Sequence, residues 1–283
     1  MKIYFGDNQF LGVNHSSGKG SDYLNKYETA ELIADTLREA WEVGIRDFSF
    51  TVNDKTIKAI NLIKTDCPFN LHPSLPYAHR INDLVLDKGL AGAVLFKIKQ
   101  FGFFNLVSAG FAALFNKNRK ILKLLVLSEL NGIPMDNVRS IGLLNIATDF
   151  ILGSKRRDLL EDFYFVVEKD FNCKPMFYTM NFGKLADTLW GQGLTDCAIV
   201  FNFNKNSFRT NPSLDSVREA VERYRERETI AMSLFSGSQP QEVCDVLAEI
   251  PSLSGVLFGS SSAVNIKSSY LLLSSSGINV LSS

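Results

Sequence analysis

Short apolar runs alternate along this chain with stretches of helical period, and the alternation persists to the last residues. Lys2 to Phe5 reads as a short buried strand. Thr29 to Val43 reads as a helix whose Leu32, Ile33, Thr36, Leu37, Ala40 and Trp41 share one face, closed by Gly44. Arg46 to Val52 predicts the second strand, Lys55 to Thr65 a helix, Phe69 to Leu75 the third strand and Arg80 to Asp87 the next helix. Arg139 to Ile146, Pro175 to Asn181, Cys197 to Asn204, Thr229 to Phe235 and Gly255 to Phe258 complete the strands. The helices between them are Asp158 to Phe171, Lys184 to Trp190, Ser213 to Arg227, with an N-cap at Asn211 or Ser213, and Glu242 to Ile250. Ala263 to Leu273 is the last helix.

Consecutive parallel strands need helical crossovers, and eight of them close a sheet without edges. The pattern therefore predicts an α/β chain folded as a single (β/α)8 TIM-type barrel over residues 1–283. A doubly wound open sheet is the alternative, but no G-x-G-x-x-G turn follows the first strand.

One interval breaks the rhythm: roughly 45 extra residues separate the third helix from the fourth strand, and they are assigned to a helical insertion over 89–137. Phe101 to Phe115 is apolar apart from Asn105 and Ser108. Lys97, Lys99, Lys117, Arg119, Lys120 and Lys123 frame it, and no acidic residue falls between Asp87 and Glu129. Helices that cap the barrel or pair with another subunit explain this pattern. So does a basic lid over an anionic ligand, or a patch resting on a membrane surface. The run is too short for a transmembrane helix.

Composition excludes several partners. Thirty basic and thirty acidic side chains cancel, and a sequence pI near 6.8 offers no overall attraction to nucleic acid or an anionic membrane. With 46% hydrophobic residues and a mean hydropathy of +0.03, the chain is suited to a sizeable core. Cys67, Cys173, Cys197 and Cys244 are dispersed, with no C-x-x-C pair and no histidine at ligand spacing. The thiols, and the lack of a signal-peptide pattern after Met1, predict a cytoplasmic location.

In a barrel of this kind the strand C-termini and the loops after them hold the active site. The polar residues at the strand ends are the candidates. The opening Gly6-Asp7-Asn8-Gln9-Phe10-Leu11-Gly12-Val13-Asn14-His15 crowds amides, a carboxylate and an imidazole onto one strand end. His15 and His72 can move protons near neutrality, and Asp7, Asp54 and Asp149 can orient them or act directly. Lys205 can form a Schiff base if its pKa is depressed. Asn8, Asn14, Thr51, Asn53, Tyr77, Asn145, Asn181, Asn202, Asn204 and Arg209 form the expected substrate-binding set. Ser236, Gly237 and Ser238 after the seventh strand, with Gly259, Ser260 and Ser261 before the last helix, suggest a phosphate cup made of amides, hydroxyls and a helix N-terminus. No metal is assigned, because amides outnumber carboxylates and no H-x-H or H-E-x-x-H spacing occurs.

The stretch E-L-I-A-D-T-L-R-E-A-W-E-V-G-I-R-D-F-S-F-T, Glu31 to Thr51, resembles aldo-keto reductases, and G-V-L-F-G-S-S-S-A-V-N, Gly255 to Asn265, is similar to their nucleotide-phosphate loop. That resemblance implies the barrel fold, NADPH and carbonyl reduction. The family's catalytic set is not matched. Ser49 stands where its H-F-D-T-A turn has aspartate, no matching tyrosine follows, and the third and fourth strands do not supply the expected lysine and histidine. The G-D-N-x-F-x-G-x-N-H opening, with Leu75-Pro76-Tyr77-Ala78-His79 and Phe203-Asn204-Lys205, also resembles an uncharacterised group of microbial barrel proteins.

The leading expectation is a cytoplasmic enzyme using acid/base chemistry of the lyase, isomerase or hydrolase kind on a small phosphorylated or nucleotide-linked metabolite, such as a sugar. No cofactor is favoured, with a divalent metal or NADPH left open. The alternatives are an NADPH-dependent reductase-like barrel, and a non-catalytic barrel whose insertion mediates assembly, as in a homo-oligomer, or docks on a membrane.

Overall fold

The structure, a computed structural model, describes residues 1–12, 25–75 and 118–275. Eight parallel strands pair in chain order and the eighth pairs with the first, which closes the barrel the alternation predicts. They are β1 (Lys2–Gly6), β2 (Asp47–Thr51), β3 (Asn70–Leu75), β4 (Ser140–Leu143), β5 (Lys174–Thr179), β6 (Ala198–Asn202), β7 (Glu228–Met232) and β8 (Gly255–Phe258). The helices are α1 (Ala30–Glu42), α2 (Asp54–Ile63), α3 (Asn118–Glu129), α4 (Asn145–Gly153), α5 (Arg157–Phe165), α6 (Phe182–Leu189), α7 (Leu214–Arg223), α8 (Pro240–Ala248) and α9 (Ala263–Ser275).

Alternation along each strand separates two environments. Phe5, Phe48, Phe50, Phe177, Phe201 and Val256 belong to the core between sheet and helices, where Ile33, Leu37, Leu160 and Leu185 from the apolar helix faces meet them. Tyr4, Met176, Tyr178, Ala198, Val200 and Ile230, with Met232 and Leu257, form a second cluster inside the barrel. Helix ends follow local chemistry. Asn53 caps α2 by accepting from the Thr56 amide at 2.9 Å, Ser213 caps α7 at Ser216, and α8 opens on a capping box of Gln239 and Glu242. Gly44 ends α1 with φ +107, and a Cβ there would lie 2.7 Å from the Tyr270 hydroxyl, so only glycine suits the turn.

Residues Asn118–Glu129, which the sequence assigned to the insertion, form the crossover helix that leads into β4. Val126 is buried, and α3 is tied to the next crossover by Arg119 to Asp162 at 2.7 Å and Lys123 to Asp170 at 2.5 Å. Two of the six cations taken as a basic frame thus hold neighbouring segments together. The Arg80–Asp87 helix and the apolar Phe101–Phe115 run lie outside the described residues. Among the described residues no helix is long and apolar enough to cross a membrane.

His72 sits away from the strand C-termini where the sequence placed it. It lies three residues before the end of β3, with Nε2 2.9 Å from Asp47 Oδ1 and Nδ1 2.7 Å from Ser140 Oγ. Asp47 and Ser140 are the first residues of β2 and β4, so the imidazole faces the N-terminal half of the barrel. Tyr4 packs edge-on against it at 5.0 Å, and the Tyr4 hydroxyl reaches Glu228, which pairs with Lys174 at 2.6 Å. Both ring nitrogens are satisfied within a polar floor beneath the lumen. This position is away from the strand C-termini, where barrel chemistry occurs.

Candidate active site at the barrel mouth

Asp7, directly after β1, is the most buried of the predicted acids, at 5% exposure. Its Oδ2 accepts the Thr51 amide at 2.7 Å, extending the β1–β2 ladder by one side-chain bond. Among the described residues no cation pairs with it. Burial in a site without a compensating charge disfavours the carboxylate, and the Asp7 pKa is raised to about 7 despite the lowering effect of the Thr51 and Asp7 amides.

Across the lumen, Tyr178 on β5 shares a 2.5 Å hydrogen bond with Ser49 on β2. Burial, and secondarily the nearby Asp7 charge, pushes the phenol well above its ordinary range, while the Ser49 bond acts the other way. The phenol therefore stays protonated and can donate. Gly142 on β4 makes room for it, since a Cβ there would lie 2.8 Å from Tyr178 Cε2. Ser74 is turned aside to the Phe50 carbonyl at 3.0 Å. On the far side Asn202, at the end of β6, accepts from Ser233 at 2.7 Å. Ser207, Arg209 and Ser233 all adopt positive φ, between 54° and 65°, in the loops after β6 and β7. Such left-handed non-glycine residues are strained and gather where function requires it.

The remaining predicted residues divide by what holds them. Asp149 accepts from Thr179 Oγ1 at 2.5 Å and from the Met180 amide at 2.9 Å, so it fixes the end of β5 beside Tyr178. Asn53 and Asn181 are helix caps, Asp54 is exposed in the first turn of α2, and Asn145 begins α4. Asn204 bonds both the amide and the carbonyl of Phe208 and so holds its own loop closed. Asn8 is exposed, and the exposed Arg209 guanidinium lies 5.1 Å from the Phe208 ring.

Lys205 is exposed and paired with Glu242 at 2.6 Å, which raises its pKa, whereas a Schiff-base lysine needs a lowered one. His15, Asn14 and Tyr77 lie outside the described residues. Tyr178, Ser49 and Ser233 were missed because an apolar or hydroxylated residue inside a strand pattern gives no sign of which face it takes.

The two serine-rich loops differ. After β7, the Ser236 and Gly237 carbonyls accept from Asn206, and the Ser238 hydroxyl is enclosed without a hydrogen-bond partner among the described residues. After β8, Gly259 packs closely on the first loop, since a Cβ would lie 2.3 Å from Gln9 Oε1, and Gln9 is itself held by its bond to the Gly6 carbonyl at 2.8 Å. Gly259→Ala should therefore cost about 1–3 kcal/mol in urea unfolding. The added change Gln9→Ala should recover most of that loss. Equal losses in the single and double variants would exclude this packing role. Ser261, Ser262 and Ala263 at the start of α9, with Lys26, Tyr27 and the Leu32 to Glu39 face of α1, line a cleft of about 390 Å³. The Lys26 amine donates to the Ser261 carbonyl.

Among the described residues no three His, Cys, Asp or Glu side chains come together. No family model and no curated protein matches the sequence. Among solved structures, the fold is similar to an inferred aldo-keto reductase from Pseudomonas aeruginosa, with 8% identity, a TM-score of 0.57 and coverage of 97% of this chain and 89% of that one. Another solved structure, also named as an inferred aldo-keto reductase from that organism, gives 10% identity, a TM-score of 0.54 and coverage of 96% and 90%. At this identity the likeness establishes the shared barrel. The leading expectation of a lyase, isomerase or hydrolase on a phosphorylated metabolite is corrected to this extent: the solved structures that share the fold are named as reductases.

Proposed function

We propose that this barrel is an oxidoreductase that uses a nicotinamide nucleotide on a small substrate bound at the mouth. The observation that carries the reading is a barrel likeness to reductase-named structures over nearly the whole chain, combined with a serine-rich turn into α9 beside a lysine. The residues present fit such a nucleotide. Ser260, Ser261, Ser262 and Lys26 offer hydroxyls, amides and a cation to its phosphates at the N-terminus of a helix, where partial positive charge favours anions. The enclosed Ser238 hydroxyl, without a hydrogen-bond partner among the described residues, is a further donor in the loop after β7. Asp35 and Glu39 on α1 would repel phosphate, so it belongs at the loop side of the cleft.

The bound nucleotide supplies hydride chemistry; the protein supplies binding, orientation and protons. Tyr178 and Ser49 orient the substrate oxygen, while Asn202 and Ser233 read its polar groups. Met232, Leu257 and Val200 exclude water below. A cytoplasmic location, assembly through the insertion and membrane contact remain proposals of the sequence.

The test is binding of NADPH and NADH, measured by nucleotide fluorescence and by thermal shift, since a ligand specific for the native state raises Tm. Saturable binding that Lys26→Ala weakens by about tenfold is expected, consistent with one charge-assisted contact of roughly 1.4 kcal/mol. No binding of either nucleotide to the wild-type protein would refute the reading.

A further inference from the structure

We propose that Asp7 is the proton donor of this site, acting on the oxygen of a small carbonyl substrate held by the Tyr178 and Ser49 hydroxyls. The assignment rests on the oxidoreductase reading above and supplies the acid that the unmatched catalytic set of the resembled family leaves open. Three features of the geometry carry it. Asp7 stands at the mouth end of β1, bonded to the last residue of β2 and one residue beyond Gly6, which is in register with Ser49, and its charge acts on Tyr178. It is a buried carboxyl without a cationic partner among the described residues, and a charge so placed is relieved by taking up a proton. The hydroxyl pair has two hydrogens and uses one in its mutual bond, which leaves one to donate to a substrate oxygen.

Among the described residues the groups placed around Asp7 are otherwise neutral. Tyr178 is the titratable group that faces it from β5, β2 presents the Thr51 amide and Ser49 hydroxyl, and β8 flanks Gly6 with Leu257 and Gly259. The raised pKa of about 7 leaves a useful fraction protonated at neutral pH, as a general acid requires. In the reduction the carbonyl carbon takes a hydride from the reduced nicotinamide nucleotide, which becomes oxidised. The carbonyl π pair moves to oxygen, that oxygen takes the Asp7 proton, and the carboxylate is reprotonated from solvent.

A purely structural role is the rival, because Asp7 anchors Thr51. Asp7→Asn keeps an acceptor for the Thr51 amide while removing the proton, so the two roles separate. The experiment follows NADPH and NADH oxidation with acetaldehyde, acetone and benzaldehyde as probes, for wild type, Asp7→Asn and Tyr178→Phe, from pH 5 to 9. The wild type should turn over at least one carbonyl, with kcat falling above an apparent pKa near 7. Asp7→Asn should lose about 100-fold or more in kcat and the pH dependence with it, with nucleotide Kd within about threefold. Tyr178→Phe should lose about tenfold and keep the pH profile. An Asp7→Asn protein with kcat within threefold of wild type overturns the assignment alone. Nucleotide binding without turnover of any probe overturns the carbonyl step, and no nucleotide binding overturns the oxidoreductase reading together with the assignment.

Discussion

The stability of Asp7→Asn relative to wild type is expected to rise by on the order of 4 kcal/mol between pH 4 and pH 8. The sign follows from linkage. The Asp7 carboxyl moves from an ordinary 3.8 to about 7 on folding, so its protonated form favours the native state below pH 4. That contribution is lost as the pH climbs through 7, at about 1.4 kcal/mol for every tenfold change in the proton-binding equilibrium. Asparagine does not titrate, so the variant escapes the loss, while all other groups titrate alike in both proteins and cancel. Urea unfolding of the pair at each pH measures the difference. A difference that stays constant over this window would mean that Asp7 is ionised at ordinary cost. The combination of greater stability above neutrality and lower turnover is the signature of a group retained for chemistry rather than for folding.

At the other end of the barrel, His72→Ala should cost about 3–5 kcal/mol. It removes the bonds to Asp47 and Ser140, leaves the Asp47 carboxylate buried without its histidine, and opens a hole against the Tyr4 ring. Denaturant unfolding gives the loss, and nucleotide binding by the folded variant should match wild type. A change below 1 kcal/mol, or selective loss of binding with full stability, would make His72 a functional residue after all.

These two residues show what the sequence made legible. The barrel was readable because period-2 runs such as Phe48 and Phe50 alternate with period-3.6 faces such as Ile33, Leu37 and Ala40, and that alternation has few three-dimensional solutions. Asp7 was readable because a carboxylate immediately after an apolar strand falls at the mouth in any such barrel. The end of β3 at Leu75 was also readable, but not that His72, three residues before it, turns its imidazole toward Asp47 and Ser140 at the starts of β2 and β4, because those partners come from distant strands. Tyr178 was not legible at all: its role depends on the empty space at Gly142 and on Ser49 from a strand more than a hundred residues earlier, and local pattern carries neither. Gly259 shows the same difficulty in reverse, since a loop that looked shaped for an anion owes its glycine at least partly to Gln9.

The most direct test is the site-resolved titration of Asp7 itself, from the carboxyl resonance of ¹³C-labelled aspartate in wild-type protein, assigned by its absence in Asp7→Asn. A midpoint near 7 is the predicted result and would place a proton on this carboxyl under working conditions. A midpoint in the ordinary carboxylate range near 4 would contradict the account, because Asp7 would then be an ionised anchor for Thr51 with no proton to give.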